Sequence, residues 1–218
     1  MKKVRVWLEL VAVLSFAVFL TGGLCEDLGQ VTFTIDQETD EITIDLDQAL
    51  ADAVNAGLIE GWDQLPAQQC IKMKNGLVVY PDAMDIDLQN NSKEGPTVMK
   101  YRGHIKSIQI NELKYTVTEN SATIDIPGVD LFVGDFGADK DALQWVASAP
   151  EVKAGDTGDY PIQVTNDLQN ILGGIIKNDM KFSYTFKVTY KGDICKGQQL
   201  GSLTLKAKMV VEVTAEAI

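Results

Sequence analysis

Histidine and cysteine are nearly absent from this chain. One histidine, His104, and three cysteines, Cys25, Cys70 and Cys195, occur in 218 residues. A single imidazole leaves only carboxylates to complete a zinc site, and no CxxC pair or Cys/His cluster offers another. A Ser-His-Asp hydrolase would have to work through His104, and no Gly-x-Ser-x-Gly elbow supplies its nucleophile. In the strand-like "RGHIKS", a surface or packing role for His104 is the ordinary reading. The two glycines of "ILGGIIK" lie outside any GxxxxGK frame, so a phosphate cradle is missing too. Basic residues are scarce, with 19 Lys and Arg against 31 Asp and Glu and a net charge of −12. Lys2, Lys3 and Arg5 against Glu9 contribute +2 at the N-terminus, which leaves −14 for the remainder. Such a surface repels a phosphate backbone, which excludes nucleic acid, and disfavours anionic headgroups. Long apolar runs are lacking as well. The stretch Leu10 to Leu20 has 11 residues with only Ser15 polar, whereas a spanning helix needs about 20.

What is present at the N-terminus is a targeting pattern. A basic start followed by a short apolar run reads as a signal peptide over residues 1–24, with a retained anchor helix as the alternative. The stretch "FLTGGLC" resembles the lipobox of bacterial lipoproteins, which implies lipidation at Cys25. Leu20-Thr21-Gly22 matches its first three positions, but Gly23 stands where the cysteine belongs, and alignment on Cys25 puts Leu24 where a small residue is expected. Thr21 and Gly23 equally allow ordinary cleavage before Leu24. All three readings put residues 25–218 outside the cytoplasm, in the bacterial cell envelope or secreted. An odd cysteine count in an exported chain suggests one special thiol and one pair, and Cys70 with Cys195 is the expected disulfide.

The mature chain reads as strands with interruptions. "VTFTID" (31–36) and "EITIDL" (41–46) alternate apolar and polar residues, the mark of a half-buried strand. Residues 47–62 change period: Leu46, Leu50, Val54 and Leu58 recur every four residues, which predicts a short helix capped near Asp47. Asn75-Gly76 between two extended runs predicts a tight hairpin, and "QNNSKEGP" reads as loop. Residues 98–120 are rich in strand formers, with Gly103 as a bulge or break, and 122–135 continue the pattern. After a surface excursion with a strand near Leu143–Ala147 comes a helix over 164–179, capped by Thr165 or Asn166 and weakened or ended by Gly173-Gly174. "KFSYTFKVTYK" and "GSLTLKAKMVVEVTA" each carry one apolar face and are expected to form a long antiparallel hairpin or a pair across a sheet. The sum is a mainly β chain: one antiparallel β-sandwich with one or two short helices, with residues 31–97 as a possible subdomain.

The order "HIKSIQINELKYTVTEN", "PGVDLFVGD", "VTNDLQNILGGIIKND", "FSYTFKVTY" and "LTLKAKMVVEV" resembles exported bacterial lipoproteins with an immunoglobulin-like sandwich. The layout is also similar to late-embryogenesis-abundant-like domains. The resemblance implies a fold and an address, and no catalytic residues. Acids supply the remaining chemistry. Asp135, Asp139 and Asp141 lie close together in a glycine-containing loop, and oxygen-rich loops suit calcium, although Lys140 sits among them. Asp82, Asp85 and Asp87 form a similar run. Trp62 and Trp145 either plug the ends of the sandwich or form an aromatic contact surface for a glycan or peptide. The expected function is non-enzymatic: binding an envelope protein or glycan, or a structural role, with no cofactor. Alternatives are a carboxylate-dependent hydrolase of polysaccharide, a calcium-dependent adhesion module, and self-association into fibres through the edge "VTFTID".

Overall fold

In the computed structural model, which describes residues 29–73 and 75–218, the alternating segments become the strands of two facing sheets. Cys25 and the signal segment lie outside the described residues. The first sheet centres on β12 (Ser202–Glu216). β6 (Ile105–Asn120) flanks it on one side, β1 (Gln30–Glu38) and β2 (Ile42–Asp45) on the other, and β9 (Gly158–Pro161) lies beyond β6. The second sheet centres on β10 (Lys181–Tyr190). β7 (Val129–Gly134) flanks one side, β4 (Leu77–Val79) and β5 (Met84–Asp87) the other, and β8 (Gln144–Ala149) lies beyond β7. A two-stranded ribbon joins β3 (Cys70–Lys72) to β11 (Asp193–Cys195). Every pairing is antiparallel, as a mainly β sandwich requires. Strands from residues 31–97 enter all three sheets.

The inner faces follow the sequence period. On β12, Leu203, Leu205, Ala207, Met209, Val211 and Val213 are all buried. They face β10 residues such as Phe186, whose ring lies 6.3 Å from that of Tyr115 on β6. The expected hairpin between residues 181–191 and 201–215 is not formed: these strands are the centres of opposite sheets. β10 is covered on both faces, since Ser183 and Thr185 are as buried as Phe182 and Phe186. Its polar face is satisfied locally: the Ser183 hydroxyl bonds the Asp85 carboxylate, and the Thr185 hydroxyl donates to Pro81 O at 2.9 Å.

The Asn75-Gly76 turn exists, but it does not close a hairpin. Gly76 N–H donates to Met73 O at 3.4 Å with Gly76 at φ +79°. β3 then pairs β11 while β4 pairs β10, so residues 70–72 and 77–79 run antiparallel to 193–195 and 188–190 as the two arms of a bent rail. A Cβ at position 76 would sit 2.9 Å from Thr189 Cγ2 and 3.0 Å from Tyr190 O. The glycine is therefore required by the neighbouring strand as well as by the turn. β6 is one long strand bent by three register shifts against β12. Gly103 falls before it, in a 3₁₀ turn over Arg102–His104.

Helices number more than expected. α1 (Leu46–Asn55) is capped by Asp45, whose side chain accepts from Gln48 N. Asp47 instead accepts from Leu200 N at 2.6 Å and Gly201 N at 3.1 Å, tying the entry of β12 to the helix. Leu58 lies past the helix end and is 73% exposed. The stretch read as loop contains α2 (Leu88–Asn91) and α3 (Gly95–Lys100). α4 (Asn166–Asp179), capped by Thr165, runs straight through Gly173-Gly174 and buries Leu168, Leu172 and Ile176. Its Gln169 side chain accepts from Ile110 N at 2.8 Å and donates to Ile108 O at 2.7 Å. The amide thereby stands in for a strand along the β6 edge that β9 leaves uncovered. A Cβ at Gly173 would meet Gln169 Nε2 at 3.2 Å, so this glycine leaves room for the amide that bonds β6.

Candidate functional site

Cys70 and Cys195 are joined in a disulfide, directly opposite one another at the end of the β3–β11 ribbon. The bond closes a loop of 125 residues, which on the chain-entropy model contributes about 5 kcal/mol. It pins the far end of the bent rail that supports β4.

The acidic residues gather differently from their order in the sequence. Asp139 and Asp141 approach Asp82 and Asp85 around a pocket of about 470 Å³ that also holds Lys140. The Lys140 ammonium lies 3.1 Å from Asp82 Oδ1 and 2.9 Å from Tyr80 O, so an internal cation already partners this site. Asp85 is taken up by the Ser183 hydroxyl and Gly137 N–H. Asp135 does not join them; it lines a separate pocket with Arg102, Asp179 and Lys181. Among the described residues, no three His, Cys, Asp or Glu side chains are grouped so as to hold a metal ion. Asp87, last of the other acidic run, caps α2 and pairs Lys181 Nζ at 2.6 Å. His104 is exposed, with Nδ1 4.0 Å from Glu216.

The two tryptophans among the described residues part company. Trp62 is half-buried and packs against the core, its carbonyl accepting from Lys196 Nζ at 3.2 Å. Trp145 is 57% exposed on β8. A bulge explains its position: Leu131 faces Ala147 while Phe132 faces Trp145, so Val146 is the extra residue. Val146 and Ala147 both turn inward, and Trp145 is left on the outer face beside Phe132. Tyr80, in the loop after β4, completes a row, its ring centroid 5.3 Å from that of Phe132. Lys187 Nζ stands over both rings, 5.5 Å from Tyr80 and 5.8 Å from Phe132. Tyr80 donates its hydroxyl proton to Lys140 O at 2.6 Å. Burial, and then the nearby Asp141 charge, push its pKa up against the opposing pull of Lys140, so the hydroxyl stays a donor.

Polar groups line up beside the rings. Trp145 Nε1 lies 3.4 Å from Asp130 Oδ1 and 3.3 Å from Ser148 Oγ, and the Ser148 hydroxyl donates to the same carboxylate. Asp130 and Ser148 belong to a shallow groove of about 550 Å³ that continues to Thr189, Tyr190 and Lys191. The outer face of the second sheet thus offers the exposed Trp145 ring beside the half-buried Phe132 and Tyr80, with a pre-oriented carboxylate and hydroxyls at its border. Aromatic faces present flat apolar area and accept C–H and cationic groups, and an exposed patch rimmed by polar groups marks a contact site. Of this site, sequence reasoning singled out Trp145 alone. Phe132 carried a usable signal: with Val129, Leu131 and Val133 inward, alternation turns it outward. Tyr80 carried none, since its place depends on the bent rail.

No family model matches this chain, and no curated protein does. Among solved structures, a chain of infectious bursal disease virus, Gt strain, gives a TM-score of 0.31 at 12% identity, covering 87% of this chain and 34% of that one. The Gx strain of the same virus gives 0.28 at 12% identity, covering 86% and 32%. Mud crab tombus-like virus gives 0.30 at 7% identity, covering 94% and 98%. This chain therefore spans about a third of the length of the bursal disease virus chains. Likenesses at this level carry no argument about function.

Proposed function

We propose that this chain is an exported, non-enzymatic protein of the bacterial cell envelope, anchored through Cys25, that binds a glycan across the outer face of its second sheet. The observation that carries the reading is the row Trp145–Phe132–Tyr80 with the Asp130–Ser148 pair at its edge. A sugar ring has an apolar C–H face that lies on an aromatic side chain and equatorial hydroxyls that donate to a fixed carboxylate. The row supplies the first and Asp130 the second. The disulfide supports an oxidising compartment.

The test is calorimetric titration with a panel of neutral and uronate-bearing oligosaccharides, on the wild-type protein and on Trp145→Ala. A ligand that binds the wild type and binds Trp145→Ala at least tenfold more weakly supports the reading. A panel with no binder, or a binder indifferent to the substitution, removes it. The address is tested separately by intact mass. An acyl-glyceryl adduct on a chain beginning at Cys25 is expected, and a bare chain beginning near Leu24 would replace the anchor with secretion.

A further inference from the structure

A second surface lies on the other side of Tyr80. A groove of about 1060 Å³ runs between α1 and the rail formed by β3 and β4. Two of the five large apolar side chains most exposed among the described residues border it: Leu58 at 73% and Val78 at 45%. One wall is a sheet edge. β4 is the last strand on its side of the second sheet, and β3 pairs β11 alone, so neither has a described strand partner on its groove side. The opposite wall is α1, where Ala49, Ala53 and the C-cap Ala56 leave room for a backbone to approach and Asp45, Gln48 and Asp52 share the same side. An unpaired edge facing a wall of small side chains is the geometry of strand addition, in which main-chain bonds give affinity and alternate side chains give specificity.

Charge selects the occupant. Asp45, Asp52 and Glu60 line the groove with Lys72, and Lys74, between the lining residues Met73 and Asn75, lies outside the described residues. We infer that this groove takes an extended peptide of alternating apolar and Lys or Arg residues, added as a strand to the β3–β4 edge. Alternate side chains of such a peptide point to opposite faces, so its apolar residues pack on the Val78 side and its cations turn toward Asp45 and Asp52 at α1. Tyr80 borders both surfaces, but Trp145 and Asp130 are not part of the groove, so Trp145→Ala separates this inference from the glycan reading.

The experiment is fluorescence anisotropy of the full chain with two labelled, capped heptapeptides, VKVKVKV and VEVEVEV. The lysine peptide is expected to bind at least tenfold more tightly than the glutamate peptide, with affinity falling as salt is raised. Ala53→Trp, which fills the groove, and Val78→Lys, at an exposed side chain, are each expected to weaken it at least tenfold at unchanged melting temperature. Should Ala53→Trp fail to fold, Val78→Lys alone decides. Trp145→Ala is expected to leave peptide binding as it is. Equal affinity for both peptides, no binding of either, or binding that survives Val78→Lys overturns the inference. So does a dimer in sedimentation that Val78→Lys dissociates, which would give the groove to a second copy of the chain.

Discussion

On the outer face of the first sheet, the lysines of β6 and β12 meet carboxylates. Lys208 lies 2.9 Å from Asp36, Lys206 3.1 Å from Glu38, and Lys114 2.6 Å from Asp159 and 3.2 Å from Glu112. On the outer face of the second sheet, Lys187 lies over aromatic rings and Trp145 stands in solvent. The inner faces do not differ in this way: both are continuous apolar rows joined in one core. A sandwich needs its inner faces for stability and leaves its outer faces free. A ladder of alternating charges is a solvated coat with every partner satisfied from within. A row of rings gains from a ligand what it does not gain from water. The contrast between the two outer faces is therefore the strongest guide in this molecule to where it makes contact.

The largest effect belongs to what the sheets share. Phe186 is fully buried at their interface. Phe186→Ala is expected to cost about 3–5 kcal/mol in urea unfolding, and Leu205→Ala on the facing sheet about 2–5 kcal/mol. A cost under about 1 kcal/mol for either would mean that the inner faces do not form one packed core. Trp145→Ala sharpens the contrast from the other side. Stability is expected to stay within about 0.5 kcal/mol of wild type, while glycan affinity falls at least tenfold. A loss of stability without a loss of binding would make Trp145 a packing residue.

How far the sequence reveals this depends on the range of the forces involved. The inward rows of β7, β10 and β12 were legible because their two-residue period is set by the strand itself. The Cys70–Cys195 pair was legible from the cysteine count once the targeting pattern set Cys25 apart. Pairing partners were not. Residues 181–191 and 201–215 look like a hairpin because each has one apolar face, but such faces pack equally well across a sandwich. The short β11 carries the chain from one sheet to the other. Gly173-Gly174 looked like a helix end because glycine is costly in an isolated helix. Packing of Leu172 and Ile176 and the Gln169 contact to β6 outweigh that local preference. Half of the site was hidden for the same reason: Phe132 is read by alternation, but Tyr80 reaches it only through a loop whose course the neighbouring strands decide.

Acid and base test the ionic pairs as a group. Several carboxylates are held below their ordinary range. For Asp159 the main cause is Lys114, for Asp125 the Ala154 N–H and then Lys153, and for Glu216 Lys106. For Asp87 partial burial pushes upward, but bonds from Lys181 and Asn90 outweigh it. A carboxyl depressed in the folded state contributes stability that is fully present above its unfolded pKa, and this is lost as pH falls through the folded value. The melting temperature is therefore expected to be level at neutral pH and to decline as pH drops below about 4. At the alkaline end the sign reverses. Lys114 and Lys208 are raised by Asp159 and Asp36, and burial pushes Tyr184 up to about 12. Stability should hold below about pH 10 and fall as pH climbs further. A melting temperature that is flat from pH 2 to 6 would show that these pairs contribute nothing.

The smallest effect is the one expected of a single rung on the ionic face. Lys206→Ala removes the 3.1 Å pair with Glu38 while leaving the apolar side of β12 intact. Both partners are partly exposed, so the attraction is screened and offset by the entropy of holding two long side chains in place. The expected loss is about 0.2–1 kcal/mol, shrinking further in high salt. Glycan affinity should not move, because the charge lies on the opposite face of the sandwich from Trp145. A change in binding larger than the change in stability would place the contact surface on the first sheet and reverse the contrast between the two faces.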